Sequence, residues 1–281
     1  MSVEERITRH GDELTAAERR VAEVVLGRPQ EIAFGTVAGL ARLTGTSGAT
    51  VVRFATKLGF DGYIGLQESV QAELSARLGP AAERIRRPPE GDDLARALTV
   101  ETDNVEATLR GVQSRTFGQA VALLSDPERH VYFCPGDCAR GVASLTVDQL
   151  FSLRPGVTLI EGNQLQVGRQ LARTEPGDVL VAIDFHRYDR WVLLAAGLSR
   201  QRQAKVVALT DSRIGPLART ADLTFPVSVA GAGPFDSQVA TLALLNALVA
   251  AVAGKRRETA AKHLEAVEDL WQTMGALTDG E

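Results

Sequence analysis

A chain of 281 residues is long enough for about two domains of ordinary size. With 44% hydrophobic and 23% charged residues each domain can bury a core, which excludes a mostly disordered chain. The formal net charge of −4 excludes a general polycation but leaves room for a local basic face that binds nucleic acid. Two cysteines, Cys134 and Cys138, supply neither a disulfide scaffold nor a four-cysteine zinc site.

The opening stretch MSVEERITRHGDEL has no apolar core, so no export signal is expected. In chain order, the first strong signal is Thr15-Ala16-Ala17-Glu18, a capping box. Val21, Val24 and Val25 follow on one face, and Gly27 with Pro29 ends that helix. Thr36 starts a second helix through Val37, Leu40, Ala41 and Leu43, and Gly45 marks a turn. Ser47 caps a third, with Val51, Phe54, Ala55 and Leu58 at i, i+3, i+4 and i+7 before Gly59. Two short helices around a glycine turn make a helix-turn-helix. An ordinary three-helix bundle gives the same periodicity. The polar residues of the third helix favour the first reading. Thr50, Arg53, Thr56 and Lys57 lie off the apolar stripe, and 32–60 holds three basic residues and no acidic one. That balance suits a polyanion in the major groove. Arg53 and Thr50 are expected at base edges, and Lys57, Ser47 and Arg42 at phosphates.

The segment 79–93, with Pro80, Pro88 and Pro89 among mixed charges, reads as a linker. The expected domains are 1–78, an all-α helix-turn-helix, then 79–125, a linker and connecting helix, then 126–281. In the last, apolar runs at 129–134, 157–161, 178–183, 204–209 and 222–226 are continuous, as in strands covered on both faces. They alternate with amphipathic stretches at 139–153, 163–173 and 188–202, which implies a doubly wound parallel α/β sheet. The most apolar run, 239–253, contains Asn246 and is shorter than the roughly 20 residues a bilayer span needs, so a buried helix is expected. The stretch 257–274 carries Leu264, Val267, Trp271 and Met274 at helical spacing, for packing on the sheet or on a partner subunit. A cytoplasmic protein without a cofactor is the expectation.

The combination Ser47, Ala49-Thr50-Val51, Arg53-Phe54, Lys57-Leu58-Gly59-Phe60 and Gly62-Tyr63 resembles the DNA-binding region of the RpiR (MurR/RpiR) family of bacterial transcriptional regulators. The α/β region resembles the sugar isomerase (SIS) domain that follows it in that family. The resemblance implies a sugar-phosphate-responsive regulator acting as a homodimer or homotetramer on a palindromic operator, with the third helix as recognition helix. It also implies strand order 2-1-3-4-5 and a ligand crevice between the loops after the first and third strands. Family members hold phosphosugars there with a glycine-rich turn ending in Ser and a Ser/Thr-rich turn.

Both loops depart from that pattern. Cys134 stands at the first expected Gly, Cys138 at a Ser, and Asp184 and His186 at the Ser positions of the second loop. The candidate effector contacts are Gly136, Cys138, Arg140, Asp184, His186, Arg187, Tyr188 and Asp211. A phosphorylated sugar needs Arg140, His186 and Arg187 to offset the carboxylate, and His186 would make its binding pH-sensitive. A neutral or cationic ligand, or none, fits the same loops. The two cysteines read as a redox switch, as metal ligands with His186, or as small buried apolar residues. His10, His130 and His263 suggest no metal site. An isomerase-like enzyme and a domain used only for assembly are the competing functions. The loops offer no family-matched catalytic set, so no catalytic residue is assigned.

Overall fold

The structure is a computed structural model describing residues 3–78, 80–86, 91–213 and 215–276. It divides into two compact units, Met1–Arg87 and Pro88–Glu281. Of the proline-rich segment 79–93, Gly79 and residues 87–90 lie outside the described residues.

The first unit is helical: α1 (Val3–Arg9), α2 (Ala16–Gly27), α3 (Pro29–Ala33), α4 (Val37–Thr44), α5 (Gly48–Lys57), α6 (Gly62–Leu78) and α7 (Ala81–Arg84). The capping box of α2 forms in full: the Thr15 hydroxyl accepts from the Glu18 amide, and the Glu18 carboxylate accepts from the Thr15 amide at 2.8 Å. Thr36 and Ser47 cap α4 and α5, accepting from the amides of Gly39 and Thr50. Gly45 ends α4 at φ +60°, a left-handed conformation that costs glycine nothing and lets the chain reverse into α5. Val21, Leu40, Val51, Phe54, Leu58 and Leu66 form the centre of the core. Tyr63 and Gln67 on α6 donate to the carbonyl of Ile32, which ties α6 to the end of α3.

The second unit carries a five-stranded parallel sheet in the order β2-β1-β3-β4-β5. Its strands are β1 (Val131–Pro135), β2 (Val157–Leu159), β3 (Val179–Ile183), β4 (Lys205–Thr210) and β5 (Leu223–Pro226). All five lie within or one residue beyond the apolar runs read from the sequence. The helical stretch 94–125 is two helices, α8 (Asp93–Gly111) and α9 (Ser114–Ser125), separated where Val112 and Gln113 turn extended. The remaining helices are α10 (Arg140–Phe151), α11 (Gln164–Leu171), α12 (Arg190–Gln201), α13 (Pro216–Thr220), α14 (Val239–Lys255) and α15 (Arg257–Met274).

Strand alternation sends Val131, Phe133, Val181 and Ile183 to one face, where Leu244, Leu248 and Val252 of α14 and Leu124 of α9 cover them. Tyr132, Cys134, Leu180 and Ala182 face the other way, against Val167 and Leu171 of α11 and Val192 and Ala195 of α12. The apolar run is thus a core helix, and no single helix among the described residues is long and apolar enough to cross a membrane. Arg154, 1% exposed, is a staple: its guanidinium donates to the carbonyls of Leu124, Pro155 and Arg129. On α8, Asn104 donates to Ala230 O at 2.7 Å and accepts from the Ser228 hydroxyl, and Thr108 accepts from the Ser228 amide, so the loop after β5 is pinned.

One expectation narrows. The 257–274 helix forms, but only Ala260 is buried; Leu264, Trp271 and Met274 are exposed, so it does not close over the sheet.

Candidate nucleic-acid interface and ligand crevice

The apolar stripe of α5 leaves a second stripe outside. Ala49, Val52, Arg53 and Thr56 are exposed at i, i+3, i+4 and i+7, and Val52 keeps 39% of its surface open to solvent. At the amino end, Ser47, Thr50 and Arg53 form a polar ridge. The Ser47 and Thr50 hydroxyls lie 2.9 Å apart, and Arg53 Nη2 donates to Thr50 Oγ1 at 3.4 Å. Four predicted contacts are therefore available: Ser47, Thr50 and Arg53 on this ridge, and Arg42, exposed on α4 beside a cavity of about 360 Å³.

The fifth, Lys57, is engaged within the unit. Its ammonium pairs with Glu18 Oε2 at 2.8 Å and donates to Glu13 O at 2.9 Å, so it holds α5 to α2 while its side chain stays partly exposed. The reason lies in Glu18, whose carboxylate the α2 cap fixes in a buried position and leaves in need of a cation. Burial by itself would raise the Glu18 pKa, but the Lys57 and Thr15 hydrogen bonds and the Lys57 charge hold it below the ordinary 4.5. Sequence reading named Val52 nowhere, because it is apolar; its exposure marks it.

In the second unit the strand order reverses between β1 and β3, and the loops after those strands flank the reversal. Three of their backbone amides, those of Asp137, Phe185 and Asp189, are bonded to carboxylates of the same loops. Asp184 accepts from the Phe185 amide at 2.9 Å and from the Asp189 amide at 2.7 Å. Asp189 in turn accepts from the Asp137 amide at 2.9 Å. Asp184 is 2% exposed, and a Cβ placed on Gly136 would lie 2.3 Å from its Oδ1, so only glycine fits beside it. Desolvation raises the Asp184 carboxyl to about 7, against the two amide hydrogen bonds and with help from Asp189 and Asp211.

The other predicted crevice residues divide. Arg140, His186 and Arg187 are exposed, with Arg140 donating to Asp137 at 3.1 Å. Tyr188 is held by its hydroxyl, which donates to Asp211 Oδ1 at 2.8 Å and sits 3.1 Å from Thr210 Oγ1. That bond also takes up Asp211. Both thiols are free. Cys134 is fully buried in the sheet, and burial drives its pKa far above the ordinary thiol range. Cys138 is exposed at its surface, yet desolvation and the carboxylates of Asp184, Asp236 and Asp189 push it up to about 11. Neither thiol has the lowered pKa of a reactive cysteine. Among the described residues, no group of three or more His, Cys, Asp or Glu side chains is placed to hold a metal ion.

Residues 1–77 match the helix-turn-helix domain of the rpiR family, and residues 139–251 match the SIS domain. The chain is 28% identical over 275 residues to the HTH-type transcriptional regulator HexR of Pseudomonas aeruginosa, covering 94% of each protein. The sugar isomerase domain of an RpiR transcription factor from Sphaerobacter thermophilus superposes with TM-score 0.59 at 27% identity, over 63% of this chain and 98% of that one. The Vibrio vulnificus NanR protein, solved with ManNAc-6P, has the same fold over 96% of this chain and 97% of its own, with TM-score 0.59 at 22% identity. With both unit folds and both family domains in register, the chain belongs to the RpiR family of helix-turn-helix transcriptional regulators that carry a SIS domain.

Proposed function

We propose that the first unit reads operator DNA in the major groove with α5, and that the second unit binds a small carbohydrate-derived effector that alters this binding. The observation that carries the reading is the outer stripe of α5. A polar ridge of Ser47, Thr50 and Arg53 continues into exposed Val52 and Thr56, with no acidic side chain on the helix. Arg53 and Thr50 address base edges, and Ser47 and Arg42 address phosphates. Lys57 is left out of the contact set.

One helix-turn-helix reads few base pairs, so two must be held at a fixed spacing. The exposed apolar side chains of α15, with Leu94 and Leu98 on α8, favour a homodimer or homotetramer built by the second unit. The protein acts in the cytoplasm, where its operator is, and without enzymatic turnover: the best-placed carboxyl group, Asp184, is buried and locked between two amides. The effector is a sugar derivative, as NanR's ligand is, and the Asp137, Phe185 and Asp189 amides are not free to hold it, because Asp184 and Asp189 accept from them.

Gel shifts and anisotropy with the chain's own promoter region test the DNA reading. Arg53→Ala should weaken operator binding by about 1–3 kcal/mol and relax preference at one base pair. Unchanged affinity and preference would remove α5 from the interface. Sedimentation showing a monomeric full chain at micromolar concentration would remove the paired-site reading.

A further inference from the structure

The two ends of α5 are held differently. Val51, Phe54, Ala55 and Leu58 seat the helix on the core, but apolar contacts are non-directional and fix its depth more than its tilt. At the amino end, the side chains of Ser47, Thr50 and Arg53 bond only within α5 and its cap among the described residues. Tilt matters most there. Thr50 stands eight residues before Leu58, about 12 Å along the helix axis. A swing of about 5° around the carboxyl end would move it by about 1 Å, twice the tolerance of about 0.5 Å that a hydrogen-bonding site allows.

The carboxyl end is gripped from outside the helix. There the chain reverses, with the Phe60 amide donating to Ala55 O at 3.0 Å and Gly59 at φ +81°. Arg6 of α1 reaches this turn from 52 positions away. Its Nη1 donates to Leu58 O at 2.9 Å and to Gly59 O at 3.2 Å. The guanidinium lies over the Phe60 ring, 4.4 Å from its centroid, and a Cβ on Gly59 would lie 3.1 Å from Nη1. A cation at a helix carboxyl end complements the dipole, which accounts for the sign of Arg6. It does not account for Arg6 Nε, which is buried and has no hydrogen-bond partner among the described residues. A side chain that served only as a cap would lose nothing by turning that N–H to water. Arg6 forgoes the bond and stays wedged between the ring and the turn. Two carbonyls and a ring plane define an orientation, where a point charge defines only a distance.

We infer that Arg6 is a positioning residue for sequence reading: through the turn after α5 it sets the tilt of that helix and so aims Arg53 and Thr50 at base edges, without touching DNA itself. The inference rests on the reading of α5 as the helix in the groove, and it adds α1 to the parts that tell one sequence from another. Phosphate contacts tolerate a displaced helix, because attraction between charges falls off slowly with distance. Base-edge hydrogen bonds do not, since they need both distance and angle. Loss of Arg6 therefore falls on the preference between sequences and spares the general attraction to DNA.

Fluorescence anisotropy on the full chain, with its own promoter region and an unrelated duplex of equal length, tests it. Arg6→Ala should weaken promoter binding by about tenfold. Affinity for the unrelated duplex, and its salt dependence, should stay as in wild type. Arg6→Lys keeps the charge but not the planar fork, so it should behave like Arg6→Ala. Phe60→Leu removes the ring under the guanidinium and should lower the promoter-to-unrelated ratio too; it carries the test should Arg6→Ala not fold. Binding is measured well below each variant's melting temperature, so lost stability alone leaves the ratio unchanged. In an Arg53→Ala background, Arg6→Ala should cost no further preference at the base pair that Arg53 reads. A flatter salt slope on both duplexes, with full recovery in Arg6→Lys, would make Arg6 a phosphate contact and overturn the inference. A lower melting temperature with an unchanged ratio would also overturn it, leaving Arg6 a helix cap and α5 still the reading helix. The α5 reading falls separately, if Arg53→Ala leaves promoter binding and preference unchanged.

Discussion

Along α5 and its cap the side chains of Ser47, Thr50 and Arg53 hydrogen-bond to one another and still present their outer surfaces to solvent, whereas in the β1–β3 crevice Asp184 and Asp189 accept from the Asp137, Phe185 and Asp189 amides. Both regions match their family domains at the level of backbone. They differ in whether the polar groups that the backbone offers remain free. The lesson is that a fold supplies donors, but neighbouring side chains decide whether those donors reach a ligand or end in an internal bond. The same distinction separates two cations on one helix: Arg53 is available, and Lys57 is spent on Glu18.

The largest test of the filled crevice is its pH dependence. The folded Asp184 carboxyl titrates at about 7, above its ordinary 3.8, so the protonated form favours the folded second unit. That contribution is complete below about pH 4 and is lost as the pH rises through about 7. Roughly three pKa units correspond to a swing on the order of 4 kcal/mol at most. Asp184→Ser should remove this fall from a series of urea melts between those pH values. Identical slopes in both proteins would mean that Asp184 is solvated, and the crevice open.

Next in size is Gly136→Ala. The new methyl would lie 2.3 Å from Asp184 Oδ1 and 2.7 Å from its Cγ, and Asp184 cannot retreat because two amides hold it. A loss of about 3 kcal/mol is expected. In an Asp184→Ser background the same substitution should cost much less, a coupling that a double-mutant cycle measures. Additive losses would show that the two residues do not constrain each other.

On the other side of the comparison, Lys57→Ala should destabilise the first unit by about 2 kcal/mol, because it strands the buried Glu18 carboxylate. The salt dependence of operator binding should stay that of wild type. A flatter salt slope with unchanged stability would make Lys57 a phosphate contact after all.

These outcomes bear on what the residues alone disclose. The caps at Thr15, Thr36 and Ser47, the turn at Gly45 and the five apolar runs are short-range signals, and each appears in the structure within a residue or two. The break at Val112–Gln113 was hidden, since helical periodicity continues on both sides of it. The pairing of Lys57 with Glu18 spans 39 positions, and that of Asp189 with the Asp137 amide spans 52. Contacts at such separations depend on how elements pack, which periodicity does not encode.

The smallest effect sharpens the α5 side most finely. Val52 is a branched apolar residue left exposed between Thr50, Arg53 and Thr56 on the stripe that faces the groove. An exposed methyl pair on a solvated helix gains nothing from water, but in the major groove it can meet the C5-methyl group of thymine. Removing two methyls from such a contact costs about 1 kcal/mol. Val52→Ala should therefore weaken operator binding by roughly fivefold and do so through a single thymine. Replacing that thymine by uracil, which lacks only the methyl, should weaken the wild-type complex by a similar factor. The Val52→Ala protein should be indifferent to the change, because the contact is already gone. A scan of single thymine-to-uracil replacements across the operator, run with both proteins, locates the base. Equal sensitivity of both proteins at every position would turn Val52 away from the bases and leave Arg53 and Thr50 to read sequence without it.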